Sequence, residues 1–397
     1  MQRIVTEMRI LIMIISCLVL CLCLLGCGGG GSSTPNVTAA TTTATGQFID
    51  APVAGLTYES GSITGVTNAD GSFTYEVGKS VRFSIGGKLA LGEAQGQSVI
   101  TPVDLVDETG ANASTPEVVK IVRLLMTLNN SGTNDKMSFS SGVLDKAADQ
   151  SMTNIQSLSS DGLLSIVKAL DSTKTALVSE ADAEDHLSDN LAKLLVGTWL
   201  YRDGSHILAI TFLDSSRYIG IEEGASDGGG HTGMEIGSYT WDPKTSAFTG
   251  SASSVNTNGD WGFDGGFSST AAISGNVLTI QGDIDKLTKV ASDSSKPLVG
   301  AWISADSNND VLLVFLADGT YLMAEHHTAV EYSCGDGMER GTYSWNPATG
   351  VISATVITDT SGDWGFSDAG IVTITISGNT LTWVNKDGTH TAMRVTE

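Results

Sequence analysis

The chain has 397 residues, with 21 Lys and Arg against 44 Asp and Glu, and a formal charge of −23. That acidity repels phosphate backbones, excludes nucleic acid as a natural partner, and suits a solvated, secreted surface. Of the five cysteines, Cys17, Cys21, Cys23 and Cys27 crowd into the N-terminus, so Cys334 stands alone and stability must come from hydrophobic cores in roughly two to four domains.

Arg3 and Arg9 flank the start of an apolar run, Ile10 to Leu25, broken only by Ser16 and thiols. This is the layout of a secretory signal, and it falls short of the roughly 20 apolar residues a spanning helix needs. Its end, Leu24-Leu25-Gly26-Cys27, resembles the lipobox of bacterial lipoproteins. The resemblance implies that residues 1–26 are removed and that Cys27 is lipidated. Several acyl chains on one residue would anchor the protein stably. Gly28 follows Cys27 where Asp would signal retention, so the resemblance implies the outer membrane, with the domains facing the periplasm or the cell surface. The membrane, through Cys27, is the one partner this segment specifies. Residues 27–46 are rich in Gly, Ser, Thr and Ala and read as a flexible tether.

Residues 47–107 carry short period-two runs: Leu56-Thr57-Tyr58, Gly71 to Tyr75, and Val81 to Ile85. Asp70-Gly71 and Gly86-Gly87 are placed as hairpin turns between them. A small antiparallel β-sandwich is expected. The stretches Phe48 to Tyr58, Gly65 to Tyr75 and Ile100 to Leu105 resemble a module of bacterial surface lipoproteins and adhesin-like proteins, over about residues 47–195. The resemblance implies a presentation or spacer role.

Residues 108–194 read as helical. Pro116 near a first helical position is followed by Val118, Ile121, Val122, Leu125 and Leu128 on one face. A second helix is expected over Leu163 to Leu170, and a third from about Ser179 to Leu195 with Leu187, Leu191, Leu194 and Leu195 buried. His186 lies in the third as a packed or surface residue. In the resembling module the turn after the first helix is often rich in acidic residues able to hold calcium; here, over Leu128 to Asp135, amides replace most of the carboxylates, so calcium is not expected.

The second half is a tandem duplication. Leu195-Val-Gly-Thr-Trp199 recurs as Leu298-Val-Gly-Ala-Trp302, Gly233-Met-Glu as Gly337-Met-Glu, and Gly259-Asp-Trp-Gly-Phe263 as Gly362-Asp-Trp-Gly-Phe366, at an offset of 103 to 104. Each copy (195–294 and 295–397) holds about eight strand-like runs without a helix, which suggests an eight-stranded antiparallel meander barrel. The opening Gly-Thr-Trp resembles the first strand of lipocalin- and avidin-like barrels. The expected fold is mainly β: a small sandwich, a helical segment and two tandem barrels.

Alternation sorts the faces. Leu208, Ile210 and Phe212 share an inner side, as do Glu235, Gly237, Tyr239 and Trp241, with Glu339, Gly341, Tyr343 and Trp345 repeating the pattern. Glu222 and Glu325 fall on the side of Tyr218 and Tyr321, although Ile219 and Ile221 make the opposite side apolar as well. Glu222, Glu235 and Tyr239, with Glu325, Glu339 and Tyr343, are therefore candidates to bind a cation, an amine or a hydroxylated ligand. The alternatives are strand-end carboxylates in water or bonded to loop amides. His326, His327 and Cys334, with Glu331, form the most metal-like cluster, but the spacing fits no standard site and adjacent histidines on a strand point apart. Trp261 and Trp364 are read as tight-turn anchors on the barrel ends. No nucleotide, haem or hydrolase motif appears, so neither a cofactor nor a catalytic role is expected. The expected role is a membrane-anchored surface lipoprotein for binding or adhesion. A small-ligand carrier using the barrel interiors is the alternative, and a hydrolase using Glu222 with Glu235 and Glu325 with Glu339 ranks below it.

Overall fold

The computed structural model describes residues 42–263, 265–282, 286–291, 295–305, 309–327, 335–362, 365–366, 370–386 and 388–396. The signal segment, Cys27, Glu331, Cys334 and Trp364 lie outside the described residues.

The N-terminal module contains β1 (Thr43–Phe48), β2 (Val53–Ala54), β3 (Thr57–Ser60), β4 (Ile63–Val66), β5 (Ser72–Glu76), β6 (Ser80–Ile85), β7 (Leu89–Gln95) and β8 (Val99–Ile100). Helices α1 (Pro116–Leu128), α2 (Ser141–Ala148), α3 (Ser160–Leu170) and α4 (Glu180–Leu195) follow, with two-residue strands β9 (Met137–Ser138) and β10 (Thr153–Asn154) between them. One sheet runs β5-β1-β8 and another β10-β7-β6-β3-β4. β1 begins at Thr43, within the stretch read as tether. Asp70-Gly71 joins strands of different sheets, so it is not a hairpin turn, whereas Gly86-Gly87 does close the β6–β7 hairpin. Short-range turn chemistry cannot tell which strand will accept the next one.

Phe48, Phe73 and Phe83 form an aromatic centre, with Phe73 edge-on to Phe83 at 5.1 Å. Ile121, Leu125 and Leu128 of α1, Val143 and Ala147 of α2, and Leu163 and Val167 of α3 pack into the same core. Helix α2 escaped the sequence reading because only Val143 and Ala147 of its eight residues are buried. Ser140, Ser159 and Ser179 cap α2, α3 and α4 by accepting backbone N–H bonds.

Helix α4 leads directly into β11 (Gly197–Asp203), β12 (His206–Phe212), β13 (Arg217–Glu223), β14 (Gly233–Asp242), β15 (Ala247–Asn256), β16 (Phe267–Ser274), β17 (Val277–Ile280) and β18 (Leu287–Lys289). These close as an antiparallel barrel in sequence order. The second copy supplies β19 (Gly300–Ala305), β20 (Asn309–Phe315), β21 (Thr320–His327), β22 (Gly337–Trp345), β23 (Ile352–Asp359), β24 (Thr373–Ser377), β25 (Thr380–Asn385) and β26 (Gly388–Arg394). It is an eight-stranded curled half-barrel. Where β15 and β16 pair over four residues, the end strands of the second copy meet at the single bridge Val351–Thr373 among the described residues.

The repeated Gly-x-Trp performs the same task twice. The indole of Trp199 donates to the Leu195 carbonyl at 2.7 Å while the Lys289 ammonium lies over its ring. Trp302 donates to the Leu298 carbonyl at 2.9 Å beneath Arg394. Gly197 and Gly300 adopt φ of 119° and 125°, where a side chain would be strained. Each Trp therefore joins its barrel to the segment that enters it.

The apolar outer face of β13 is a barrel–barrel interface. Ala209, Ile219, Ile221 and Met234 cluster with Leu312, Leu322, Ala324 and Met338, their counterparts in the second copy. Strands β11, β13 and β14 lie against β19, β21 and β22, so equivalent strands meet and the pairing is isologous. Arg340 forms a two-pronged ion pair with Glu223, which also accepts a 2.6 Å bond from the Thr358 hydroxyl. Burial pushes the Glu223 carboxyl up, but the Arg340 and Thr358 bonds outweigh it and leave it below the usual range.

Candidate functional site at the barrel mouths

Glu235 and Glu339 are buried hubs. The inner face of β14 carries Glu235 opposite Gly220 of β13, and β22 carries Glu339 opposite Met323 of β21. Glu235 Oε1 accepts from the Tyr218 hydroxyl at 3.0 Å and from the Phe263 backbone N–H at 2.9 Å. Glu339 Oε1 accepts from the Tyr321 hydroxyl at 2.6 Å and from the Phe366 N–H at 3.0 Å. In each copy the carboxylate thus pins the Phe that closes the repeated segment, Phe263 or Phe366, to the barrel. The Phe rings reach the partner tyrosines, with centroids 5.0 Å apart for Tyr218–Phe263 and 4.6 Å for Tyr321–Phe366. Burial, then the bond to Glu339, pushes the Tyr321 hydroxyl well above its ordinary range. Hydrogen bonds of this kind are what a buried carboxylate requires.

The tyrosines that meet the glutamates are Tyr218 and Tyr321. The hydroxyl of Tyr239 instead donates to the Asp214 carbonyl, and that of Tyr343 to the Leu316 carbonyl at 3.0 Å, at the end where each copy's first strand begins. Burial raises both of these tyrosines. Tyr239 and Tyr343 share the inner face with Glu235 and Glu339, but strand length carries them away from the mouths. The residue that plugs the first barrel is Phe263, 3% exposed, rather than Trp261.

The mouths themselves hold Glu222 and Glu325, each 4% exposed. His206 Nε2 lies 2.7 Å from Glu222 Oε1, and His327 Nε2 lies 3.3 Å from Glu325 Oε1. The two imidazoles come from different places: His206 from the neighbouring strand β12, His327 from two residues further along β21 itself. Burial raises the Glu222 carboxyl, and the bond to His206 offsets that only in part. Glu222 Oε2, Glu325 Oε2 and Asn258 Oδ1 are buried without a hydrogen-bond partner among the described residues. The His206 ring stands between Tyr201 and Trp261, at centroid distances of 5.7 and 5.5 Å. Trp261 Nε1 donates to Asp227 at 2.8 Å.

The histidine pair divides as strand alternation requires. His326 bonds Asp336 at 2.9 Å, and His327 turns to Glu325. Among the described residues, no three His, Cys, Asp or Glu side chains converge as a metal site. His206 was legible by parity, since it alternates with Leu208 and Ile210. Asn258, in a loop, had no periodic signal.

No protein-family model and no curated protein matches the chain. Among solved structures, the crystal structure of BamB from Moraxella catarrhalis is 11% identical, covering 49% of this chain and 71% of that chain at a TM-score of 0.08. Similarity at that level carries no argument about fold or role.

Proposed function

We propose that this chain is a lipid-anchored binding protein of a bacterial outer membrane, with its two barrels displayed on the N-terminal module and their mouths as contact regions. The observation that carries the reading is how the first barrel is filled. Phe212 lies 4.7 Å from Tyr239, Tyr218 5.0 Å from Phe263, and Phe248 5.3 Å from Phe263, centroid to centroid. A barrel occupied by its own aromatic side chains presents its rim and loops, rather than its interior, for recognition. The Leu-Leu-Gly-Cys27 ending supports the anchor.

Cys27→Ala is expected to move the protein from the detergent phase to the aqueous phase and to abolish incorporation of labelled fatty acid. Equal partitioning of mutant and wild type removes the anchor. A saturable apolar dye seated inside the wild-type barrel favours a carrier instead.

A further inference from the structure

We propose that the mouth of the first barrel binds an ammonium group, on a free alkylamine or on a lysine side chain, between Glu222 and Asn258. The proposal rests on reading the mouths as contact regions and names what one of them contacts.

Two buried acceptors, Glu222 Oε2 and Asn258 Oδ1, make no well-formed hydrogen bond among the described residues, and the Asn258 side chain lies directly against the Glu222 carboxyl. Leaving such atoms unmatched is costly, and a ligand with several N–H donors would match both. Tyr201 and Trp261 flank the His206 ring that covers Glu222 and offer faces that favour a cation, and Trp261 holds Asp227 in place. A metal suits the site less well. No three His, Cys, Asp or Glu side chains converge there among the described residues, and a hard cation such as calcium takes about six to eight oxygens. His206 is the gate: its side chain is 37% exposed, against 6% for the carboxylate it covers. It must turn aside to admit the ligand.

The second barrel is a built-in control. It keeps the glutamate, as Glu325, but places Met323 where the first has Gly220, and Ser361 where the first has Asn258. The methyl of Met323 comes within 2.7 Å of a Cβ built on Gly365, so the thioether lies against the pinned loop. At Gly220 the three atoms nearest a built Cβ all belong to the Glu235 side chain, with Cγ at 3.1 Å. The first mouth has exchanged a methionine's volume for polar acceptors.

The test uses the full chain at neutral pH, with n-butylammonium and a lysine peptide as probes and the ε-acetylated peptide as control. Indole fluorescence and melting temperature are the readouts. Saturable binding is expected, lost on acetylation if the source is lysine. Glu222→Gln and Gly220→Met should each weaken it at least about tenfold, while Glu325→Gln leaves it unchanged. Asn258→Ser, which copies the second barrel more gently, decides the matter if Gly220→Met fails to fold. No saturable response to either probe overturns the proposal, as does an undiminished response in Glu222→Gln. Saturation by calcium or zinc in place of the ammonium also overturns it. So does a pH-dependent melting shift erased by Glu222→Gln with no amine effect, because a proton shared with Asn258 is then the only occupant. None of these results alters the partitioning of Cys27→Ala, so the two readings fail separately.

Discussion

The two barrels share a scaffold and differ at their mouths. Both bury a Tyr–Glu–Phe hub, both seat a cation over an entering Trp, and both turn the same outer face to each other. Yet the glutamate at the mouth finds its imidazole on a neighbouring strand in one copy and on its own strand in the other. What is identical in the twins is what the fold needs. What has diverged, Gly220 against Met323 and Asn258 against Ser361, is where separate roles can reside.

The largest expected effect comes from breaking the shared interface. Ile221→Asp buries an unpaired charge at the face that joins the barrels, and should lower stability by about 3–5 kcal/mol. The first barrel expressed alone, about residues 195–291, should pair with itself, because its exposed face is the complement of its twin's. Light scattering of that fragment decides the point: a stable monomer means the apolar face is dispensable.

The second test separates the barrels from the N-terminal module by pH. The carboxylates of the barrel hubs accept hydrogen bonds. Asp50 is fully buried, His186 Nε2 lies 3.4 Å from its Oδ1, and burial pushes its carboxyl up to about 8. A folded-state value above the unfolded one means that the protonated form favours folding. That contribution is complete below about pH 4, falls as the pH rises, and is gone above about 8. Denaturant titrations from pH 4 to 9 should show this decline in wild type and a flatter profile in Asp50→Asn. An equal slope in both assigns the dependence elsewhere.

The smallest effect sharpens the likeness of the twins. Glu235→Gln and Glu339→Gln keep the shape and weaken two bonds at each hub, so each should lower stability by about 1–3 kcal/mol, and by similar amounts. Unfolding of the two variants measures this directly. A loss in one copy only would show that the hubs are not equivalent.

Much of this architecture was legible in the sequence. Alternation of period two places Glu235 and Glu339 inside, and the 103 to 104 offset identifies the duplication before any coordinate is known. Ile219 and Ile221 are plainly apolar in the sequence, and they made the face of Glu222 ambiguous there. The reason lies outside the barrel, in the second barrel packed against them. A single strand's pattern reports that a face is covered, not by what.

Sequence by itself determined where the strands run, which face turns inward wherever only one face is apolar, and that the unit occurs twice, because these follow from local geometry repeated along the chain. Tertiary structure alone decided the partners. It sent Tyr239 to a carbonyl at one end and Tyr218 to Glu235, and it brought His206 against Glu222 from 16 residues away. It also drew the first barrel closed over four residue pairs where its twin meets at one bridge among the described residues. Parity fixes the side on which a residue lies. Its height along the barrel and its neighbour across the interior depend on strand register and curvature, which arise only when all eight strands assemble.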